Sequence, residues 1–296
     1  MTIPEKTVAE TATPETVLRA AMTSDGRPEF DAATWIGILD IASIDQPDDE
    51  IVCRTTESAV GYRNARILLR NGHTPMHFVT TPIVDGRVRI PLPEIPLPEI
   101  PLPDPTAADA VDTVPLPPIS VVLCTRERPD QLRGALESLC GVDYPDVEII
   151  VVDNAPVTDA TRRVVAEFED RGIRRVVAPR AGLSSARNVG LGAATHDIVA
   201  YTDDDVVADI GWLRGVARGF ARSSDVVCVS GLVPSGELRT LPQAYFDWRV
   251  SWADNTEART YTLADPPADV PLFPFQVGIY GTGANFAVRR PEILAL

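Results

Sequence analysis

The chain has 296 residues, enough for one large domain and a small one, and its hydrophobic and charged shares of 45% and 23% are ordinary for a soluble globular protein. A formal net charge of -15 excludes a general nucleic-acid binder and simple electrostatic docking on an anionic membrane. Apart from Lys6, every basic side chain is arginine, the residue better suited to bidentate phosphate recognition.

Residues 1–15 combine Pro, Thr, Glu and Ala with little apolar content and read as disordered. They hold no apolar core of a secretory signal, and no run in the chain reaches the roughly 18 apolar residues of a membrane span. A cytoplasmic protein is expected, at most peripheral at the inner face of the membrane. Cys53, Cys124, Cys140 and Cys228 lie far apart without a CxxC pair and read as reduced, buried residues.

Residues 16–90 read as a small α+β region. Helical signals fall at Thr16–Met22 and Ala32–Ile41. Apolar runs between 65 and 90 are punctuated by Asn71-Gly72 and Asp85-Gly86, which suit type I′ turns and predict a three-stranded antiparallel meander. His73 and His77 fall there and read as turn and strand-face residues. Residues 91–118 form a linker. Its PLPEI repeat removes backbone donors and fixes φ, so a polyproline II spacer of up to about 45 Å is expected from 91 to 105.

From Ile119 to the last residue, 296, strand and helix alternate. ISVVLC (119–124) and VEIIVV (147–152) are continuous apolar runs, as in strands buried on both faces. Helices are expected from Pro129 to about Leu139, over Thr161–Arg171, from Leu183 to about Ala194 with serine caps, and from near Asp209. Further short strands are expected at Arg174–Ala178, Ile198–Tyr201 and 226–230. Such alternation predicts an α/β fold with a mostly parallel sheet, whose ligands bind beyond the carboxyl ends of the strands.

Those ends carry the chemistry. The first strand leads into Thr125 and Arg126, the second into Asp153 and Asn154, and the run Ile198–Tyr201 into Asp203, Asp204 and Asp205. Three carboxylates at the end of a buried strand are costly without partners. A divalent cation, Mg²⁺ or Mn²⁺, remedies this and commonly shares carboxylate oxygens with substrate phosphates. Arg187, one helical turn into AGLSSARNVG, can face such a phosphate, and Gly190 suits close helix packing. Neither a GxxxxGK[ST] loop nor a GxGxxG after the first strand is present. The stretch 231–279 is irregular and aromatic, including Tyr245, Trp248 and Trp252, and suits either lid packing or an acceptor surface.

The order ISVVLCTRERPDQLRGALESL, VEIIVVDNAP, GLSSARNVGLGAATHDIVAYTDDDVVADIGWL resembles family 2 glycosyltransferases of the GT-A fold. The resemblance covers about 119 to 290 and resumes at Tyr280–Arg290. It implies a metal-assisted, inverting transfer of a sugar from a nucleotide-diphosphate donor to a hydroxyl of a glycan, lipid or other acceptor. It places Thr125 and Arg126 beside the nucleoside, Asp153 on the base or ribose, and Arg187 near the nucleotide. Asp203, Asp204 and Asp205 match the DXD motif, with Asp205 foremost as metal ligand, Asp203 second, and Asp203 and Asp204 also toward the donor. Asn285, in the Gly-Thr-Gly-Ala-Asn turn, would line the donor-sugar pocket. In the family the acidic motif with the general base follows that turn. The base is therefore expected beyond Leu296, and the chain is read as truncated. A non-catalytic nucleotide-sugar-binding or scaffold protein is the alternative. A nucleotidyltransferase would want a Gly-rich triphosphate loop after the first strand, and CTRERPD has no glycine.

Overall fold

The computed structural model describes residues 16–22, 26–44, 50–91, 116–250, 256 and 258–296. The expected disorder of 1–15, most of the proline-rich linker and Trp252 lie outside the described residues.

The N-terminal part is built from strands. β1 (Arg19–Ala20), β2 (Thr34–Asp40), β4 (Asn64–Asn71) and β5 (Thr74–Pro82) form one sheet in that order, and β3 (Glu50–Arg54) pairs with β6 (Arg87–Pro91) in another. The helices expected near 16–22 and 32–41 are strands. Trp35, Ile36 and Leu39 mimic a helical stripe, but β2 lies parallel to β4 and buries all three, Trp35 and Leu39 in the N-terminal core with Ile67 and Leu69. Tertiary pairing outweighs the local pattern. The expected meander is also corrected: β4 and β5 make a hairpin, but β6 leaves β5 to pair with β3. Asp85 and Gly86 both take positive φ, as a type I′ turn requires, whereas at the β4–β5 turn Gly72 does and Asn71 does not.

The second part is the α/β unit that the alternating pattern predicted. β7 (Ile119–Thr125), β8 (Val147–Asn154), β9 (Arg174–Ala178) and β10 (Ile198–Asp203) run parallel. β12 (Asn285–Arg289) joins β10 antiparallel and carries the short edge strand β11 (Cys228–Ser230). The order across the sheet is β11-β12-β10-β7-β8-β9. β7 is buried at every position, which explains its unbroken apolar run. Helices α1 (Pro129–Cys140), α2 (Ala160–Ala166), α3 (Leu183–Ala193) and α4 (Trp212–Ala221) follow their strands, with α5 (Leu241–Val250) and α6 (Arg290–Leu294) beyond them. Core residues lie on both faces of the sheet. Leu132, Leu136, Leu213 and Phe220 cover one, and Ala186 and Leu191 the other.

Three local expectations are revised. α3 has no serine cap; its N-cap is Gly182 and no side chain accepts there. α4 begins at Trp212, because Asp209 caps the preceding turn by accepting from the Gly211 amide at 2.9 Å. All four cysteines are free, but only Cys53 and Cys124 are buried, Cys228 being exposed on the edge strand β11.

The N-terminal sheet leans on the segment that follows β10. Thr34 donates its amide to Leu238 O at 3.0 Å, and Arg66 reaches Asp247 at 3.0 Å. Arg19 and Arg70 both reach Asp209 Oδ2, at 3.2 and 3.0 Å. The tip of the β4–β5 hairpin presses on Gly211, where a Cβ would lie 2.5 Å from His73 Nδ1.

Two features unify the α/β sheet. Gly190 lets α3 lie flat on it, since a Cβ would meet Val122 Cγ1 at 2.4 Å and Val152 Cγ2 at 3.1 Å. Glu148 ties neighbouring elements together, accepting from Ser120 Oγ at 2.6 Å, from the Thr195 amide at 3.0 Å and from Arg174. Burial raises this carboxyl, but those hydrogen bonds outweigh it and bring the pKa down to about 2. Gly190→Ala is expected to overpack the contact and lower stability by about 1–3 kcal/mol in thermal unfolding; an unchanged transition contradicts this packing. A carboxyl depressed in the folded state stabilises above its unfolded pKa and loses that contribution as pH falls through the folded one. Glu148→Gln should therefore be less stable than the parent at pH 7, with the difference fading between about pH 4.5 and about 2 in denaturant titrations. A difference independent of pH contradicts the assignment.

Candidate active site

Parallel pairing brings the strand ends to one edge. Thr125 on β7 is in register with Asp153 on β8, and Cys124 with Asp203 on β10. The three aspartates behave differently there. Asp204 is only 3% exposed, while Asp203 is partly exposed and the Asp205 side chain 52% exposed.

Asp204 is the buried anchor. Thr125 Oγ1 donates to its Oδ2 at 2.6 Å, and Arg128 Nη1 to its Oδ1 at 2.6 Å. Burial raises its carboxyl pKa against those two bonds. The other arm of Arg128 donates to Asp205 Oδ2 at 2.8 Å, so one guanidinium forks across two carboxylates. Thr125 thus has its hydroxyl engaged with Asp204.

Asp203 faces Arg187. Arg187 Nη2 lies 3.3 Å from Asp203 Oδ1 and donates to Gly283 O at 2.9 Å. The guanidinium sits 5.4 Å from the centroid of Phe286, which stacks on Tyr201 at 4.6 Å. The helix entry and the glycine-rich turn before β12 are thereby joined over the end of β10. Asn285 is engaged in holding that turn: Trp212 Nε1 donates to its Oδ1 at 2.8 Å, and its Nδ2 donates to Leu232 O at 2.9 Å.

Asp153 is fully buried. Arg175 Nε and Nη2 both donate to its Oδ2, at 2.9 and 2.6 Å, while its buried Oδ1 has no hydrogen-bond partner. A buried acceptor without a donor is costly, so this oxygen is suited to an incoming N–H or O–H. Beside it, Asn154 staples the loop before α3, donating to Arg180 O at 2.8 Å and accepting from the Gly182 amide at 3.0 Å. Arg126 is exposed in the turn after β7. Glu127 in the same turn takes φ 54° and accepts from the Val157 and Thr158 amides and the Thr158 hydroxyl. The hydrogen bonds from Thr158 and then Val157 hold its carboxyl below the usual range. Burial pushes the Cys124 thiol up to about 12, so it is a packing group rather than a nucleophile.

The sequence reading missed Arg128, Arg175 and Glu127. Arg128 stands within the quoted TRERP stretch, but nothing in local spacing shows that it crosses to Asp204. Arg175 was detectable in principle: it is in register with Val151, one pleat pair from Asp153 on the adjoining strand, so the two side chains are diagonal neighbours. Among the described residues, no group of three or more His, Cys, Asp or Glu is placed to hold a metal by itself.

The family described as Glycosyl transferase family 2 matches residues 120–279. A glucosyl-dolichyl phosphate glucuronosyltransferase from Haloferax volcanii is 29% identical over 139 residues, covering 45% of this chain and 44% of that protein. The succinoglycan biosynthesis protein ExoO of Rhizobium meliloti is 32% identical over 147 residues, covering 45% of this chain and 41% of that protein. A mannosyltransferase from Pyrobaculum calidifontis, solved in complex with GDP-Man and Mn²⁺, superposes with a TM-score of 0.44 at 21% identity, covering 61% of this chain and 47% of that one. The chain thus spans less than half the length of these relatives.

Thr125→Val keeps the shape but removes the donor to Asp204, and is expected to cost about 1–3 kcal/mol in denaturant unfolding. A variant as stable as the parent would show that the Thr125–Asp204 bond does not hold the edge together.

Proposed function

Because the chain belongs to glycosyl transferase family 2, we propose that it takes part in transfer of a sugar from a nucleotide-diphosphate donor to an acceptor hydroxyl, with inversion and with a divalent cation. The observation that carries this reading is the meeting, on one sheet edge, of an unsatisfied buried Asp153 oxygen with two partly exposed carboxylates, each paired with an arginine.

Each group has a task. Asp153 Oδ1 accepts from the base or ribose of the nucleotide, and Arg175 holds that carboxylate in place. Arg128 and Arg187 present guanidinium forks that match phosphate oxygens as well as carboxylates. When the diphosphate arrives, they exchange part of their contact with Asp205 and Asp203 for contact with the donor. That exchange brings positive charge to the departing nucleoside diphosphate, where negative charge grows as the sugar–phosphate bond breaks. Arg126 stands near Arg128 in the turn after β7. Asp204 remains buried under Thr125 and Arg128 and keeps the turn in shape.

The donor set fits Mg²⁺ or Mn²⁺. Such ions are held by one or two carboxylates and complete their shell with substrate phosphates and water, so Asp205 and Asp203 suffice. When bound, the cation supplies Lewis-acid stabilisation of the leaving diphosphate. Asn285 acts by positioning the glycine-rich turn against Arg187. A cytoplasmic setting, at most peripheral to the membrane, belongs to this proposal. Among the described residues no helix is long and apolar enough to cross a membrane.

Isothermal titration of the folded chain with UDP, dTDP and GDP tests the reading. At least one nucleotide is expected to bind about tenfold or more tightly with Mn²⁺, a difference of about 1.4 kcal/mol. Asp205→Asn is expected to abolish that enhancement. No binding of any of the three by folded protein overturns the proposal, and an unchanged Mn²⁺ effect in Asp205→Asn overturns the ligand assignment.

A further inference from the structure

Between the N-terminal sheet and α5 lies an open groove with a volume of about 490 Å³. Small-molecule sites have this size and favour the seam between two modules. The rings of Phe78 on β5 and Trp248 on α5 line it, with Arg66, His77, Thr80 and Asp247 between them. The Arg66 guanidinium lies 4.8 Å from the Phe78 centroid and donates to Asp247 Oδ2 at 3.0 Å. Asp247 Oδ1 accepts from Ser235 Oγ at 2.6 Å.

This lining discriminates among ligand classes. A phosphate-bearing ligand would have to draw Arg66 away and face the Asp247 carboxylate. An alkyl chain would bury the Arg66–Asp247 pair and Thr80 against groups that offer no hydrogen bonds, at a cost for each. A pyranose satisfies both demands. Its C–H faces lie on aromatic rings, and its hydroxyls donate to Asp247 and accept from Arg66 and Thr80. Such a pairing of broad apolar contact with a few convergent polar groups is the usual construction of a specific small-molecule site.

One strand connects this cavity to the transfer site. Arg66 and Arg70 share a face of β4, and Arg70 ends on Asp209, in the turn after the triple aspartate. Four residues of strand span about 13 Å at ~3.3 Å each. We propose that the cavity is a subsite for a neutral saccharide, the part of the acceptor remote from the reacting hydroxyl. The role as acceptor subsite rests on the transferase reading above; the binding itself does not.

The test is saturation-transfer difference NMR on the full chain with maltotriose, mannotriose and galactotriose, alongside nucleotide titration of the same sample. At least one trisaccharide is expected to give signals. Trp248 is 73% exposed, so its truncation leaves the fold intact. Trp248→Ala is expected to weaken trisaccharide binding about tenfold, and Thr80→Trp, which fills the cavity, to abolish it, with nucleotide affinity unchanged in both. No trisaccharide signal from folded protein, or a signal that survives both variants, overturns the subsite. Saccharide binding without nucleotide binding supports the subsite and overturns the donor-site reading instead.

Discussion

A carboxylate at the buried end of a strand holds its charge only if donors come to it, and Asp204 draws Thr125 from the neighbouring strand and Arg128 from the turn beyond. The rest of the edge depends on that arrangement. Arg128 is fixed by Asp204, so its second arm is presented to Asp205. Asp203, the residue before, is directed to Arg187 and through it to the glycine-rich turn at Gly283. One buried acid therefore organises two half-exposed ones. The cost of burying a charge appears here as the upward shift of the Asp204 carboxyl that its partners do not fully reverse.

The same logic extends outward from the sheet. Asp209 is gripped by Arg19 and Arg70 of the N-terminal sheet, and Asp247 by Arg66. The arginine-rich composition thus serves two purposes: it neutralises acids at the strand ends, and it fastens the N-terminal sheet to the segment that follows them. Those ties run to the turn after β10 and to α5. The N-terminal sheet is accordingly part of the wall around the cavity rather than a detached appendage.

Much of the α/β unit was legible in the sequence because its signals are local. ISVVLC and VEIIVV are strands that sit in a sheet covered on both faces, and a residue as crowded as Gly190 admits no side chain. The N-terminal part was harder. TWIGILD carries apolar residues at spacings that serve a helix or a doubly covered strand, and only its pairing with β4 decides between them. The edge acids were visible as residue types, but their partners were not. Arg128 lies 76 residues from Asp204, and Arg175 lies 22 from Asp153; such pairs are created by topology. Asn285 and Thr125 show the converse. Their amide and hydroxyl suit a ligand in a motif, yet the fold engages both in holding its own turns.

In the proposed function the arginines on the edge are shared between its acids and a nucleoside diphosphate. A crystal structure of the folded chain with UDP or GDP and Mn²⁺ tests it most directly. The predicted result is a nucleotide whose base or ribose meets Asp153 Oδ1, with the cation on Asp205 and with Arg128 or Arg187 turned onto the diphosphate. A nucleotide bound elsewhere, with Arg128 still bridging Asp204 and Asp205 and Arg187 still on Asp203, would contradict it.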